Sequence, residues 1–304
     1  MIDLPGLHIR AAFFRAVRAF FESRDFLEVD TPLRQPILIP EANIIPIEAG
    51  EQYLQTSPEL CMKRLLAHGC DKIYQICPCF RKGEIGARHQ EEFQMLEWYR
   101  HGGDYLQLMA DCQELLRFIA DELRLFTGGE KKKNFFEDID LTGDWQKITV
   151  KDAFSHHAPI DLQQALSEGI FDEVLVEYVE SKLGFGSPVF LYDYPVSLGS
   201  LARKKESDPG VAERFELYIN GVELANGFSE LTDEKEQRQR FASEIDIIRT
   251  QWGREAKMPE RFLEDINKID TAAGIALGLD RLLMLAVNKN HLSEVTAFTQ
   301  EDFL

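Results

Sequence analysis

The chain has 304 residues, 44% of them hydrophobic and 28% charged, with a formal net charge of −18. That is an ordinary globular composition with room for a sizeable core, and no apolar run approaches the ~18 residues of a membrane helix. A surface this acidic repels polyphosphate backbones, which disfavours nonspecific nucleic-acid binding.

The N-terminus, MIDLPGLHIR, lacks the basic and apolar regions of a signal peptide. IRAAFFRAVRAFFES places apolar residues on one helical face and arginines on the other. FLEVDTP follows as a short strand ended by Pro32. SPELCMKRLLAHG reads as a helix with Ser57 as N-cap and Gly69 at its stop. KIYQIC and FQMLEWY are strands, and YLQLMADCQELLRFIADELRLF is a long amphipathic helix ended by Gly128-Gly129. The run Lys131–Lys133 reads as a solvated loop. Residues 141–187 mix short helical patterns with turns and carry no motif. PVFLYDYP, ERFELYING and VELANGFSEL are strands, the last two joined by an Asn220-Gly221 hairpin turn. A charged helix, TDEKEQRQRFASEIDIIRTQW, precedes GIALGLDRLLMLAV, which reads as strand, glycine turn and helix. Irregular alternation of helices and strands predicts an α+β fold with a mainly antiparallel sheet. Of the cysteines, Cys61, Cys70, Cys77, Cys79 and Cys112, the Cys77-Pro-Cys79 pair has no second pair to complete a zinc site. Reduced thiols in a cytoplasmic protein are the expectation.

Against the acidic background, FRKGEIGARHQEEFQMLEWYR crowds Arg81, Lys82, Arg88 and His89 between two strands. Guanidinium groups suit phosphate or carboxylate oxygens, and the Phe93 ring could stack on a base. A solvated hairpin tip accounts for the same composition equally well. Glu216 and Glu223 lie seven apart across the hairpin turn, where two antiparallel strands could bring both carboxylates to one cation, such as Mg²⁺ with a nucleotide. Taken alone, they are more simply strand-face glutamates. Arg281 opens the last helix after Gly278, and Glu59 lies in the first turn of its helix, where the dipole alone would favour it.

In this order the segments resemble the class II lysyl-tRNA synthetase catalytic domain over nearly the whole chain. FLEVDTP resembles motif 1, FRKGEIGARHQEEFQMLEWY motif 2 and GIALGLDRL motif 3; QTSPELCMKRLL and GVELANGFSELTD are similar to the lysine-specific segments. The resemblance implies a six-stranded antiparallel sheet flanked by helices, and a homodimer through motif 1. It implies ATP bound by the basic loop. Arg81 would bridge the substrate carboxylate and the α-phosphate, Arg88 and His89 would contact phosphates, and Phe93 would stack under adenine. Arg281 would cover the adenine and hold the γ-phosphate, and Glu216 and Glu223 would bind Mg²⁺. Glu59 would receive the amino group near the carboxylate. Glu97, Tyr99 and Glu230 would take the side-chain ammonium, and Asn226 the carboxylate. The family's Asn-Glu after the motif 2 arginine is replaced by Lys82-Gly83, with Glu84 one place on as the candidate nucleotide contact. His89-Gln90-Glu91-Glu92 replaces the usual His-Asn-Pro-Glu. Ala276 stands where these synthetases have glycine, beneath the substrate's α-carbon.

The motif 1 helix begins about ten residues from Met1, which leaves no room for an anticodon-binding OB domain; the expectation is a single catalytic domain over 1–304. A short, acidic form of this kind resembles the paralogues that join β-lysine to a lysine of elongation factor P. LEWYR and ELANGF are closer to those paralogues, whereas SLAR and GFSEL, at Arg203 and Ser229, are closer to the synthetase. The expected activity is therefore ATP-dependent activation of a lysine-like amino acid, with elongation factor P as acceptor, without tRNA or a membrane. A tRNA-charging synthetase and a noncatalytic regulatory paralogue are the alternatives.

Overall fold

The computed structural model describes residues 2–127 and 135–303; the Gly128-Gly129 stop and the Lys131–Lys133 run lie outside the described residues. Helix α1 (Leu4–Glu22) starts where the Asp3 carboxylate accepts a bond from Gly6 N, and it buries Phe13, Val17, Phe20 and Phe21. FLEVDTP forms a strand over only Leu27–Glu28 (β1), because Phe26 is drawn into a ring cluster with Phe21 instead. A small three-stranded sheet follows, made of β2 (Arg34–Gln35), β3 (Glu48–Ala49) and β4 (Gln52–Leu54). Helix α2 (Glu59–Ala67) is capped by Pro58, one residue later than expected; Ser57 still accepts a bond from Glu59 N at 3.0 Å.

The basic loop joins β5 (Lys72–Phe80) to β6 (Glu92–His101), and α3 (Tyr105–Phe126) begins at an Asp104 cap. The middle of the chain holds β7 (Gln146–Thr149) and the short helices α4 (Val150–His157), α5 (Leu162–Glu168) and α6 (Phe171–Val174). They pack on β8 (Val189–Pro195) around Phe154, Phe171 and Tyr194. Next come β9 (Lys204–Lys205), β10 (Asp208–Ile219) and β11 (Val222–Ser229). Asn220 and Gly221 both have positive φ, 50° and 67°, as the tight turn between β10 and β11 requires. Helices α7 (Glu234–Trp252) and α8 (Glu260–Ile266) precede β12 (Ala272–Gly278) and α9 (Leu279–Ala286).

The main sheet runs β1-β5-β6-β12-β11-β10-β8-β7, with β9 paired to β10, making nine strands rather than six. The six expected strands are its antiparallel centre, from β5 across to β8. Among the described residues only β1 and β7 pair in parallel, one at each end. Paired residues share a face, so the register places side chains in rows. One row runs Gln75, Glu97, Ala276, Asn226, Glu216. The next runs Ile73, Tyr99, Gly274, Phe228, Arg214. The alternate residues, among them Leu96, Trp98, Ile275, Leu277 and Phe215, belong to the core formed with α1, α3 and α9. One face of the sheet is therefore packed with α1, α3 and α9; the other is the polar face, carrying Glu97, Asn226, Glu216 and Arg214, with α2 packed on Ile73 and Tyr99 at one side.

Candidate active site

The polar face lines a cavity of about 730 Å³. All the expected site residues except Glu230 are on its wall: Glu59, Glu84, Arg88, His89, Phe93, Tyr99, Asn226, Ala276 and the others discussed below. The cavity has a cationic end at the β5–β6 loop and an acidic end at α2.

At the cationic end, Arg81 leaves β5 with its guanidinium 5.3 Å over the Phe93 ring and 3.7 Å from the Glu84 carboxylate. Its buried Nε has no hydrogen-bond partner among the described residues. An unmet guanidinium donor on a cavity wall suits an incoming anion. Arg281, in the first turn of α9, donates from Nε to Arg88 O at 3.1 Å and from Nη1 to Glu223 O at 3.0 Å. These bonds hold the basic loop and the motif 3 helix together. Burial, followed by the charge of Arg281, pushes the His89 pKa below its usual value; Arg81 and Arg88 act in the same direction and Glu84 against it. Asp280, which the sequence reading passed over, fixes this end. It accepts from Arg10 of α1 at 2.7 Å and from Gln94 N of β6 at 2.7 Å.

In the middle of the floor the hairpin brings Glu216 and Glu223 onto one wall. Tyr218, the register partner of Glu223, puts its hydroxyl 2.6 Å from Glu216 Oε2, and Tyr194 does the same. Arg214 donates to Glu216 at 2.6 Å and to Asn226 Oδ1 at 3.1 Å, so it sets the orientation of both. Arg214 was missed in the sequence, although its position two residues before Glu216 on a strand signals the same face. Burial, and next the charge of Glu216, push the Glu223 carboxyl up to about 7. Two carboxylates on one wall, the charge of one raising the pKa of the other, form a hard oxygen pair that a divalent cation would relieve. Among the described residues no group of three or more His, Cys, Asp or Glu side chains is placed to hold a metal. Two carboxylates completed by phosphate oxygens therefore fit Mg²⁺ better than a closed protein cage does.

At the acidic end, Glu97 is buried and accepts from Ser57 Oγ at 2.6 Å and Tyr99 OH at 2.8 Å. Burial first, then the charge of Glu59, push its carboxyl up to about 8, against those two hydrogen bonds and Lys63. Lys63 is the unexpected member. Only 3% exposed, its ammonium is bound to Glu59 at 2.5 Å and also to Glu230. Burial works against its charge, but Glu230 and Glu59 outweigh that and hold its pKa above the usual lysine value. Glu230 lies behind the wall, next to Gly274: a Cβ added there would meet Glu230 Oε1 at 2.6 Å and the Tyr99 ring at 2.2 Å. Its direct cation is Lys63, whereas Glu97 and Tyr99 face the cavity. In the sequence, Lys63 looks like a surface residue of an amphipathic helix, and nothing marks it as buried. Glu41 and Gln237 were likewise missed and line the same cavity.

The two synthetase-like marks have local explanations. Ser229 is fully buried and accepts from Tyr105 N at 3.0 Å, and Arg203 pairs with Glu213 at 2.8 Å.

An antiparallel six-strand centre, with one arginine ahead of the motif 2 loop and another opening the motif 3 helix, is the architecture of a class II synthetase catalytic domain. The sequence pattern of the tRNA synthetases class II (D, K and N) matches residues 5–302, and the chain belongs to that family. Within it, the chain is similar to "Elongation factor P--(R)-beta-lysine ligase" of Enterobacter sp. (strain 638), at 36% identity over 98% of this chain and 95% of that protein. It is 35% identical to the proteins of the same name from Salmonella gallinarum and Salmonella dublin, with the same coverage.

Proposed function

We infer that this chain is an ATP-dependent ligase that activates (R)-β-lysine as its acyl-adenylate and transfers it to a lysine side chain of elongation factor P. One observation carries the reading: a single cavity joins a wall of arginines to a buried set of carboxylates across a floor of small and amide residues. That matches a polyphosphate at one end and a diamino acid at the other.

In the first step the substrate carboxylate attacks the α-phosphorus of ATP and pyrophosphate leaves. No protein nucleophile is needed; catalysis is alignment and charge neutralisation. Arg81 would lie between the carboxylate and the α-phosphate, with Asn226 holding the carboxylate. Arg88 and His89 would contact the phosphates, and Arg281 would cover the nucleotide opposite Phe93. Glu84 would contact the base. Glu216 and Glu223 would hold Mg²⁺, which offsets phosphate charge when bound. Glu59 and Glu97 would receive the ammonium groups, with Tyr99 orienting Glu97 and Glu230 acting through Lys63. In the second step the acceptor amine attacks the acyl carbon, the bond to phosphate breaks and AMP leaves.

A homodimer through motif 1 would cover Leu4, Leu7, Leu27 and Leu33, which are exposed in the single chain. Among the described residues no helix is long and apolar enough to cross a membrane.

The deciding experiment incubates the chain with ATP, α-lysine or β-lysine, and either elongation factor P or tRNA(Lys). A mass gain on elongation factor P, larger with β-lysine, is expected. Stoichiometric charging of tRNA(Lys) instead would overturn the reading.

A further inference from the structure

The loop between β2 and β3 lines the cavity and is tied down on both sides. Ala42 N donates to Glu244 Oε2 of α7 at 2.8 Å, and Lys82 N donates to Ile45 O at 2.8 Å. These anchors place Glu41 on the cavity wall. Its carboxylate has charged neighbours and no hydrogen bond among the described residues: Glu59 acts on it most strongly, then Arg81, Glu244 and Arg214. Glu41 therefore stands between the groups assigned to the nearer amine and to the substrate carboxylate. Gln237 of α7, fully buried on the same wall, has neither amide atom satisfied among the described residues. The cavity wall thus carries unmet polar atoms.

Charge counting shows what that space lacks. A diamino acid brings two ammonium groups. Among the described residues Glu97 is hydrogen-bonded only by the neutral hydroxyls of Ser57 and Tyr99, and it is available for one of these ammonium groups. Glu59 is already bound to the Lys63 ammonium, which it shares with Glu230. The second substrate ammonium would therefore meet a carboxylate that is half neutralised. We propose that Glu41 is a specificity-determining residue, whose carboxylate receives, together with Glu59, the substrate ammonium nearer the reacting carboxylate. This rests on the ligase reading above. Burial and then the charge of Glu59 push the Glu41 carboxyl up to about 7, so an arriving ammonium would find an acid it can hold in the ionised form.

The test is amino-acid-dependent pyrophosphate exchange by the wild-type chain and Glu41→Gln. The substrates are β-lysine and 6-aminohexanoate, which keeps the carboxylate and terminal ammonium but lacks the other amine. In the variant the KM for β-lysine should rise about tenfold or more, the scale of a charge-assisted bond. The KM for ATP should not change. Discrimination against 6-aminohexanoate should shrink by a similar factor, and Glu41→Asp should fall between the two. Wild-type exchange with an unaltered β-lysine KM in Glu41→Gln overturns the Glu41 assignment alone. So does normal exchange with slow transfer to the acceptor, which would put Glu41 beside the acceptor amine. No exchange by the wild-type chain with any lysine-like acid overturns the ligase reading, and this inference with it.

Discussion

The two ends of the cavity are built on opposite principles. The cationic end hangs on a loop and a helix start: Arg281 is joined to Arg88 through a backbone carbonyl, Arg81 lies beside Glu84, and the charges of Arg81 and Arg281 remain partly open to solvent. The acidic end is set into strands and a helix, with Glu97 and Glu230 buried and a lysine of the chain itself between two of its carboxylates. A polyphosphate can be gripped by groups that close around it. A small diamino acid must be recognised by groups already in place, because an unpaired ammonium in a buried site discriminates strongly. The cationic end should therefore govern rate, and the acidic end selectivity and fold stability.

Arg81→Ala should break the contrast most severely. Losing the guanidinium removes charge stabilisation that nothing nearby replaces, and adenylate formation should fall by roughly two to three decades or more. Pyrophosphate exchange reads this directly, with little change in melting temperature. Lys63→Met should do the reverse. It leaves Glu59 and Glu230 without their cation, and breaking a buried pair costs roughly 3–5 kcal/mol, to be seen as a large drop in thermal and urea stability.

Glu97→Gln sharpens the same point with the opposite sign. The folded pKa of Glu97, about 8, lies above its ordinary 4.5, so the folded state binds the extra proton. Its contribution to stability is present below pH 4.5 and is lost as pH rises through 8. The neutral amide escapes that loss and can still accept from Ser57 and Tyr99. Each pKa unit corresponds to about 1.4 kcal/mol, so a rise from 4.5 to about 8 means that the ligand-free variant should gain on the order of 4 kcal/mol over wild type at pH 8 and little at pH 4. It should also bind the amino acid poorly. A variant no more stable at pH 8 would mean that Glu97 is ionised at no cost.

The smallest effect is expected from Ala276→Gly. Ala276 lies on the floor between Glu97 and Asn226, where one methyl would crowd an α-amino group and leave a β-amino group clear. Removing it should shift the ratio of kcat/KM for β-lysine over α-lysine by about one decade toward α-lysine. An unchanged ratio would make Ala276 a packing residue only.

The same contrast explains what could be read from the sequence. Arg81, Arg88 and His89 stood out because they are basic in a chain of net charge −18. Glu41 carried no such signal, being one acid among 52 Asp and Glu residues. Lys63 was hidden by helical periodicity, which assigns a lysine to solvent and cannot foresee two carboxylates arriving from the residue after β11 and from its own helix's first turn. The antiparallel centre was legible from strand patterns and the Asn-Gly turn. The flanking β7 and β9 were not, because two to four residues leave too short a pattern to recognise, whereas β1 was expected at FLEVDTP and is only shorter than its pattern. Arg214 and Asp280 act by holding other site residues, and that role depends on register, which becomes visible only when strands are paired.

The alternation along β6 and β12 has a practical consequence for anyone wishing to retune this enzyme. Phe93, Met95, Glu97 and Tyr99 look into the cavity with Gly274, Ala276 and Gly278, while Leu96, Trp98, Ile275 and Leu277 look into the helical core. Substrate choice and foldability are thus written on alternate letters of the same two strands. A combinatorial library confined to the cavity letters would explore new amino acids while leaving the core formed with α1, α3 and α9 unaltered. Gly274 should stay fixed in it, since any side chain there would drive Tyr99 and Glu230 apart. A library over the intervening letters would return variants that differ mainly in how well they fold.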